Sequence, residues 1–544
     1  MIFAGHSPWA VKALLCSWLA LCAVPGSAQA RPKAKAKASR PAAAAAKRAP
    51  SPVRAAGAVA SAGRAGADAG VQEDAQEPAG APAAPERAPA VAQTADLSAD
   101  LRAILQSAHG KSAPYVALVV ETASGKVVLE RDPTKVVYPA SVAKLFTTAA
   151  AVKALDLDKK PSTEVRLVGK GAEAELHVVG SGDPTLSLAD WTKLAVAVQQ
   201  RGVQKLRRLV MDASVFDDKL PKGFEEKQTD AAYRAPVGGL MVDASTLSVS
   251  VRPGAVGQPP LVTVSPDAGA AVVVVNQAIT VAGRGNSLAI VTRPAGRATE
   301  VVVQGQLPVK TKAVGSGRRR VADASFFAGW VFKRLLEKQG IVIPGDPQFA
   351  KAAAGELVAR HQHHDWRAIV AVTNKQSHNG YAEALFKQVG LATAGAPSTA
   401  DKAAEGVRKT LDGLDIHWEG VKLGNGSGLY HANQVTARAV VDLLRAMGRD
   451  PKGGEFRRSL AVGGVDGTLR GRLKGADTQG KVMAKTGTLD DVSGLAGYAE
   501  SGDKAYVFAF FFNGLKSGPG PLRAVQDRML RRLLAPTPGV QSDR

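Results

Sequence analysis

Cysteine is almost absent from this 544-residue chain, and its two residues, Cys16 and Cys22, both lie near the start. The first 30 residues are typical of a secretory signal, because Lys12 precedes an apolar run and an A-x-A cleavage site ends at Ala30. We therefore expect cleavage after Ala30 and a mature chain without cysteine, which excludes a disulfide, a thiol nucleophile and a cysteine-bound metal. The alternative is an uncleaved membrane anchor, although the apolar run is short for a membrane span.

Aromatic and large aliphatic residues are nearly absent from residues 31–95, which consist mainly of Ala, Pro, Gly, Lys and Arg. Such a segment cannot bury enough surface to offset its chain entropy, so we predict a disordered linker. Acidic residues are outnumbered across the chain, since 48 Asp and Glu against 70 Lys and Arg give a net charge of +22. The basic first half of the linker is either a solvated spacer or an electrostatic contact to an anionic membrane or wall. The expected export and the lack of a nucleic-acid-binding motif argue against nucleic acid as a partner.

No repeat of fixed period is present, and the rest of the chain divides by composition. Residues 164–319 contain short β-prone runs separated by Gly and Pro, with one helix near 189–200, and predict a mainly β insert. The flanking parts, 96–163 and 320–535, form one domain in two pieces, and 536–544 predict a disordered tail. The predicted elements of these parts are a hairpin around Ala123-Ser-Gly125, helices at 101–108, 322–339, 402–412, 436–448 and 520–534 and after Asn379, and strands at 481–486, 494–499 and 505–513. In the last helix we expect Arg528, Arg531 and Arg532 on the exposed side.

Three short motifs occur in order along the chain: Ser141-Val-Ala-Lys144, Ser377-His-Asn379 and Lys485-Thr-Gly487. Pro139 and an Ala-rich run place Ser141 near a helix N-terminus, with Lys144 one turn later on the same face. A serine hydroxyl is a weak nucleophile until a base removes its proton, and lysine can be that base when burial and a second cation lower its pKa. We predict that Ser141 is a nucleophile and that Lys144 is its base. The backbone N–H groups of Ser141 and Thr488 would form the oxyanion hole.

The second and third motifs contain the other groups that acyl transfer needs. Lys485 would be the second cation and, with the hydroxyls of Thr486 and Thr488, would hold a substrate carboxylate. Ser377 would carry a proton to the leaving amine, and Asn379 would bind a peptide backbone. This serine–lysine chemistry requires no metal and no cofactor.

The ordered motifs resemble those of penicillin-interacting serine enzymes. Over residues 97–534 the chain is similar to class C low-molecular-mass penicillin-binding proteins of the penicillin-binding protein 4 type. The separation of 236 positions from Ser141 to Ser377 is similar to the spacing in that family, whereas β-lactamases have a much shorter gap. The resemblance extends to Gly182-Asp-Pro-Thr-Leu186, Asp212-Ala-Ser-Val-Phe216, Tyr233-Arg-Ala-Pro236, Asn425-Gly-Ser-Gly-Leu429, Gly464-Val-Asp-Gly-Thr-Leu469 and Lys485-Thr-Gly-Thr-Leu489.

This resemblance implies an α+β fold with a transpeptidase/β-lactamase-like core, in which an antiparallel sheet is flanked by helices and joined by a helical lobe. It implies a serine-type D-Ala-D-Ala carboxypeptidase and DD-endopeptidase that acts on peptidoglycan stem peptides in the periplasm through an acyl-enzyme. β-Lactams would be covalent inhibitors. Two alternatives remain open, a serine β-lactamase and a catalytically silent peptidoglycan-binding protein.

One part of the family pattern differs in this chain. In members that act on diaminopimelate peptides, the resemblance implies an acid, an aromatic residue and an Arg that recognise the substrate's side chain. By local alignment these positions are Gln228, Tyr233 and His431. Because Gln is neutral and His cannot form a bidentate fork, we predict a modest preference, or none, for diaminopimelate over lysine at the third peptide position.

Several other polar stretches have a structural interpretation. We interpret Gly182-Asp-Pro as a turn at the insert, and Asp466-Gly-Thr468 as either a turn under the K-T-G strand or a substrate contact. The stretch His361-Gln-His-His364 is interpreted as a solvated loop outside any strand register rather than a metal site. We expect His378 to point away from the cleft.

Overall fold

The computed structural model describes residues 96–107, 115–516 and 518–536, so the predicted signal peptide, linker and tail lie outside the described residues, apart from Pro536. The helices are α1 (Leu97–Gln106), α2 (Lys144–Ala154), α3 (Leu188–Gln200), α4 (Ala324–Lys338), α5 (Trp366–Lys375), α6 (Asn379–Ala394), α7 (Ala400–Thr410), α8 (Ala437–Arg449), α9 (Gly453–Arg458) and α10 (Gly520–Leu534). The strands are β1 (Tyr115–Glu121), β2 (Val127–Arg131), β3 (Thr163–Val168), β4 (Glu175–Val179), β5 (Arg208–Asp212), β6 (Thr246–Arg252), β7 (Leu261–Ser265), β8 (Val272–Val281), β9 (Ala289–Ala295), β10 (Ala298–Pro308), β11 (Val314–Arg320), β12 (Gln348–Phe349), β13 (Glu356–His361), β14 (Ala461–Val462), β15 (Val482–Leu489), β16 (Val492–Ser501) and β17 (Lys504–Asn513). Within these ranges, no helix is long and apolar enough to span a bilayer.

The main sheet is antiparallel and has the strand order β14-β15-β16-β17-β1-β2. Its central strands are almost entirely apolar because helices cover both faces. Successive side chains of a strand point to opposite faces. Phe511 of β17 therefore packs in the core that contains α2 and α8, whereas Phe510 packs in the core that contains α1 and α10. This arrangement confirms the predicted α+β core.

Helix α2 is the centre of the helical lobe, where it packs against α5, α6 and α7. Its residues from Lys144 to Val152 are all buried. Many of them are Ala or Thr, and such small side chains let neighbouring helices approach closely. The turn that precedes α2, Ala140–Ala143, contacts β15 and β16, so the first motif lies where the lobe meets the sheet.

The insert between α2 and α5 contains three sheets, with the orders β12-β5-β4-β3-β13, β11-β6-β7 and β8-β10-β9. It is mainly β, and α3 is the helix that the sequence predicts near 189–200. The predicted end of the insert at 319 is wrong, because β13 pairs with β3 and α4 buries Phe327 and Phe332 in the insert's core. The insert therefore extends to His361. The apolar pattern of α4 predicts a helix but does not reveal which core the helix covers.

Helix α10 differs from its predicted exposure at one residue. Arg531 is exposed and Arg528 is half-buried, but Arg532 is buried and its Nε donates to Asp100 of α1 at 2.6 Å. A buried guanidinium is tolerated here because the carboxylate carries the opposite charge. The ion pair joins the first and last helices of the described chain on the same face of the sheet.

Candidate active site

Ser141 lies in the tight turn Ala140–Ala143 and remains partly exposed. Ala140 has a φ of 47°, a left-handed conformation that is unfavourable for a residue with a Cβ. Two glycines allow the surrounding chain to approach this turn. A Cβ on Gly428 would collide with the carbonyl oxygen of Ala140, and one on Gly487 would collide with that of Pro139. The turn is therefore fixed on two sides by backbone.

Lys144 begins α2 and is fully buried. Its Nζ donates to three oxygens: Ser141 Oγ at 2.8 Å, Asn379 Oδ1 at 2.8 Å and the carbonyl of Ser427 at 2.6 Å. An ammonium group has three donors, and these contacts satisfy all of them. The one-turn spacing of the first motif thus brings Ser141 and Lys144 into direct contact.

Lys485, on β15, is also fully buried, and it joins the third motif to the second. Its Nζ donates to Ser377 Oγ at 2.8 Å and to the carbonyl of Thr486 at 2.9 Å. Ser377 has a φ of 61° and lies two residues before α6 begins at Asn379. The strained backbone at Ser377 therefore sets both Ser377 and Asn379 beside the two lysines.

Asn379 joins the first motif to the insert. Its Oδ1 accepts from Lys144 Nζ, and its Nδ2 donates to the backbone carbonyl of Tyr233 at 3.0 Å. Tyr233 is 41% exposed and belongs to the pocket residues that the sequence singles out. The insert thus contributes one wall of the site through its backbone.

The threonine hydroxyls of the third motif have partners on the other side of β15. Thr486 Oγ1 lies 2.9 Å from Thr468 Oγ1, and Thr488 Oγ1 accepts from Arg523 at 3.3 Å. Side chains alternate along a strand, so Thr486 and Thr488 lie on the face opposite to Lys485. In the described chain, no hydrogen bond joins either hydroxyl to the serine–lysine pair.

The electrostatics of the site make the charged forms of Lys144 and Lys485 less favourable than in a lysine exposed to water. Burial lowers the pKa of Lys144 well below its usual value, the charge of Lys485 lowers it further, and Glu383 opposes this effect. Burial also lowers the pKa of Lys485 to about 7. The charge of Lys485 makes protonation of Lys144 less favourable, because like charges repel in a water-poor site. An amine of lowered pKa loses its own proton more readily, and it can then accept the proton of Ser141.

Sequence reasoning missed Glu383 and the role of the backbone at Gly426 and Ser427, which lie next to Lys144. Glu383 is 2% exposed, and its two carboxylate oxygens accept from the backbone N–H groups of Gly426 and Ser427. The stretch around Ser427 was noted only for its resemblance to the family. A signal for Glu383 is present, because it is a lone acid in an apolar stretch of α6, one turn after Asn379.

The predicted side-chain pocket has different contacts from those expected by alignment. Gln228 is exposed, and its Nε2 donates to the carbonyl of Glu225 at 3.0 Å. His431 lies between two carboxylates, with Nδ1 2.7 Å from Glu226 Oε1 and Nε2 3.3 Å from Asp491 Oδ1. These acids are 205 and 60 residues away from His431 in the chain, so local alignment did not find them.

Two of the remaining polar stretches have structural contacts. Asp183 of the Gly182-Asp-Pro turn is 1% exposed, and its Oδ1 accepts from Thr185 N at 2.9 Å, while burial raises the pKa of Asp183 to about 6. Asp466 accepts from Lys375 Nζ at 2.6 Å, which ties the turn below the K-T-G strand to α5.

Two histidines also have defined places. The prediction that the histidine-rich stretch lies outside any strand register is wrong for His361, which ends β13 and pairs with Thr163. Among the described residues, no group of three or more potential ligands could hold a metal ion. His378 caps α6, because its Nδ1 accepts from Tyr381 N at 3.3 Å.

The chain matches known proteins over nearly its whole folded part. The model of the D-Ala-D-Ala carboxypeptidase 3 (S13) family matches residues 97–534. The chain is 37% identical over 452 residues to the D-alanyl-D-alanine carboxypeptidase of Actinomadura sp. strain R39. This match covers 79% of this chain and 83% of that protein. It is 26% identical over 414 residues to D-alanyl-D-alanine carboxypeptidase DacB of Haemophilus influenzae, which covers 72% of this chain and 84% of that protein. Among solved structures, penicillin binding protein 4 from Haemophilus influenzae has a TM-score of 0.70 at 21% identity and covers 81% of this chain and 99% of its own, so it shares the fold.

The chain belongs to the D-Ala-D-Ala carboxypeptidase 3 (S13) family. It is a hydrolase, a D-Ala-D-Ala carboxypeptidase of the penicillin-binding protein 4 type. The resemblance stated from the sequence is therefore confirmed, and the family favours this function over a β-lactamase or a catalytically silent protein.

Proposed function

We propose that Ser141 Oγ attacks the carbonyl carbon of the D-Ala–D-Ala bond in peptidoglycan stem peptides while Lys144 Nζ takes the hydroxyl proton. The observation that carries this proposal is the 2.8 Å contact between Ser141 and a fully buried Lys144 of lowered pKa. The backbone N–H groups of Ser141 and Thr488 would stabilise the oxyanion that forms as the new C–O bond closes.

The tetrahedral intermediate then collapses. The C–N bond breaks, the proton on Lys144 passes through Ser377 to the leaving amine, and D-Ala departs from a Ser141 ester. Water next attacks the ester carbon while Lys144 takes one of its protons, the C–O bond to Ser141 breaks as that proton passes to Ser141 Oγ, and the shortened peptide is released. Ser377 Oγ lies 2.8 Å from Lys485 Nζ, which supports a place for Ser377 near the reacting groups.

Substrate binding uses the other motif residues. Lys485 would hold the terminal carboxylate, and Asn379 would bind the peptide backbone. For the hydroxyls of Thr486 and Thr488 to join Lys485 on that carboxylate, they must turn away from Thr468 and Arg523. The same steps cleave a crosslink when the leaving amine belongs to a second stem peptide, which gives the DD-endopeptidase activity. A wall peptide as substrate fits the expected export to the periplasm after cleavage at Ala30, with the basic linker in contact with an anionic membrane or wall.

β-Lactams would acylate the same serine. The β-lactam carbonyl takes the place of the peptide carbonyl, and the amine released by ring opening stays tethered to the acyl group, so the ester persists. The Haemophilus influenzae penicillin binding protein 4 has been solved in complex with a β-lactam.

Intact-mass spectrometry after penicillin treatment tests the proposal. We expect one stable adduct that maps to the peptide containing Ser141 and is absent from Ser141→Ala. An adduct on another residue contradicts the proposed nucleophile, and rapid loss of the adduct with release of opened penicillin indicates a β-lactamase.

A further inference from the structure

Helix α6 has two polar side chains, one turn apart, that contact either Lys144 or the backbone beside it. Asn379 contacts Lys144 directly, and Glu383 lies four residues later on the same face, with 2% of its surface exposed. The Glu383 carboxylate bridges two backbone donors, since Oε2 accepts from Gly426 N at 3.0 Å and Oε1 accepts from Ser427 N at 2.8 Å. Hydrogen bonds to a charged acceptor are about twice as strong as those between neutral groups.

The backbone segment that Glu383 holds is in direct contact with Lys144. The Ser427 carbonyl accepts from Lys144 Nζ at 2.6 Å, the shortest of the three contacts of that amine. Gly426 lies so close to Phe386 of α6 that a Cβ would have no room there. The loop therefore rests on the helix that provides the carboxylate, and a shift of the loop would remove one acceptor from Lys144.

We propose that Glu383 is a positioning residue for this enzyme: its carboxylate holds the backbone at Gly426 and Ser427 so that the Ser427 carbonyl directs Lys144 toward Ser141. A lysine side chain needs such support because its four-carbon stem is flexible. The inference rests on the proposed role of Lys144 as the base. It adds a residue outside the three motifs to the machinery of acyl transfer.

The charge of Glu383 has a second, separable effect. The charged groups that face Lys144 are Lys485 from β15 and Glu383 from α6, and its hydrogen-bond acceptors Ser141, Asn379 and the Ser427 carbonyl are uncharged. Burial and Lys485 lower the pKa of Lys144, whereas Glu383 raises it. Removal of the Glu383 charge would therefore lower the pKa of Lys144 further and move the acid limb of the acylation rate to lower pH.

Two substitutions separate position from charge. Glu383→Gln keeps the shape but removes the charge and turns an amide NH₂ toward one of the backbone donors. Glu383→Asp keeps the charge but is too short to bridge both donors. Asp212→Asn is the matched control, because Asp212 is a buried carboxylate of the insert that accepts from the backbone of Ser214 and Ala352.

The measurement is the rate of acylation by fluorescent penicillin over about pH 5 to 9, together with Tm. We expect both Glu383 variants to react at least about tenfold more slowly than wild type. The acid limb should move to lower pH in Glu383→Gln alone, and Asp212→Asn should keep the wild-type rate and limb.

A rate within about threefold of wild type in either Glu383 variant overturns the proposal, and an unmoved acid limb in Glu383→Gln overturns the separate effect of the Glu383 charge. If Glu383→Gln does not fold, the rate of Glu383→Asp decides. The parallel variant Lys144→Ala separates this result from a failure of the proposed mechanism, because wild-type acylation by Lys144→Ala would overturn the base itself.

Discussion

The cleft and the insert both bury ionisable groups, but they surround them with different charges. In the insert, Glu175 is buried beside a histidine and two arginines, with His177 Nε2 at 3.0 Å, Arg208 Nε at 2.7 Å and Arg207 also in contact. Burial alone would raise the pKa of Glu175, but the hydrogen bonds from Arg208, His177 and Arg207 lower it to about 2. This carboxylate keeps its charge throughout the physiological range.

The cleft buries two groups of the same charge. Lys144 and Lys485 are both fully buried, and their hydrogen-bond acceptors are neutral oxygens. Glu383 reaches Lys144 only through the backbone of Ser427. The charge of Glu383 offsets only part of the cost of burial, so the pKa of both lysines is lowered. The comparison teaches that the partners of a buried group, more than its burial, decide whether it can exchange a proton at neutral pH.

The largest expected effect is the loss of Lys144. Lys144→Ala removes the proposed base, so we expect acylation by penicillin to fall on the order of 10²-fold or more while the fold persists. Stopped-flow or gel-based labelling measures the rate, and circular dichroism checks the fold. The control is Lys153→Ala on the same helix, whose Nζ contacts Asp450 and not the cleft. Near wild-type labelling of Lys144→Ala contradicts the assignment.

The second cation gives a test in which activity and stability change in opposite directions. Lys485→Met should weaken acylation on the order of tenfold or more, because it removes the proposed partner of the substrate carboxylate and the contact to Ser377. At pH 7 the same variant should unfold at a higher Tm, since it no longer buries an amine. The folded pKa of Lys485 is about 7 and its ordinary value is 10.5, so wild-type stability rises with pH between these values.

Urea unfolding at pH 7 and near pH 10.5 tests whether the free energy of unfolding of the wild type rises with pH. The stability advantage of Lys485→Met should shrink as the pH rises, because the lysine becomes neutral in the unfolded chain too. An advantage that stays constant over this range would show that burial of the charge is not its cause.

In the insert, we expect the loss of a buried charge to lower the stability of the protein, whereas in the cleft it should raise it. Glu175→Gln removes the charge that holds Arg207 and Arg208, and we expect a loss of about 2 kcal/mol in the free energy of unfolding. Because the folded pKa of Glu175 lies at about 2 and its ordinary value is 4.5, this contribution is present above pH 4.5 and is lost as the pH falls to about 2. Acylation per folded molecule should not change, and a large fall in that rate would contradict the separation of the two regions.

The smallest expected effect concerns the third peptide residue. Neither Gln228 nor His431 reproduces the charges of a diaminopimelate-recognising pocket, and His431 is engaged by Glu226 and Asp491. We expect a kcat/KM ratio for diaminopimelate over lysine pentapeptides well below about 100-fold, which corresponds to roughly 2.7 kcal/mol. Gln228→Asp should raise this ratio. A larger ratio in the wild type, or no response to Gln228→Asp, contradicts the local alignment.

Much of the fold follows from patterns that are local in the chain. The hairpin of β1 and β2, the closing strands β15 to β17 and helix α10 all carry their period and turn signals within a few residues. Local patterns did not predict where the insert ends, because the pairing of β13 with β3 joins His361 to Thr163 across almost two hundred residues. The burial of Arg532 was missed for the same reason, since its partner Asp100 lies at the other end of the domain.

The sequence by itself determined which groups are present for the proposed chemistry: Ser141, Lys144, Ser377, Asn379 and Lys485, in the order and local settings of one enzyme family. Only the tertiary structure decided their state. Contacts that span up to 283 residues surround Lys144 with neutral oxygens, and packing removes water from both lysines. A pKa depends on the dielectric and the charges within a few ångströms of a group, and neighbours at that distance are set by folding rather than by position in the chain.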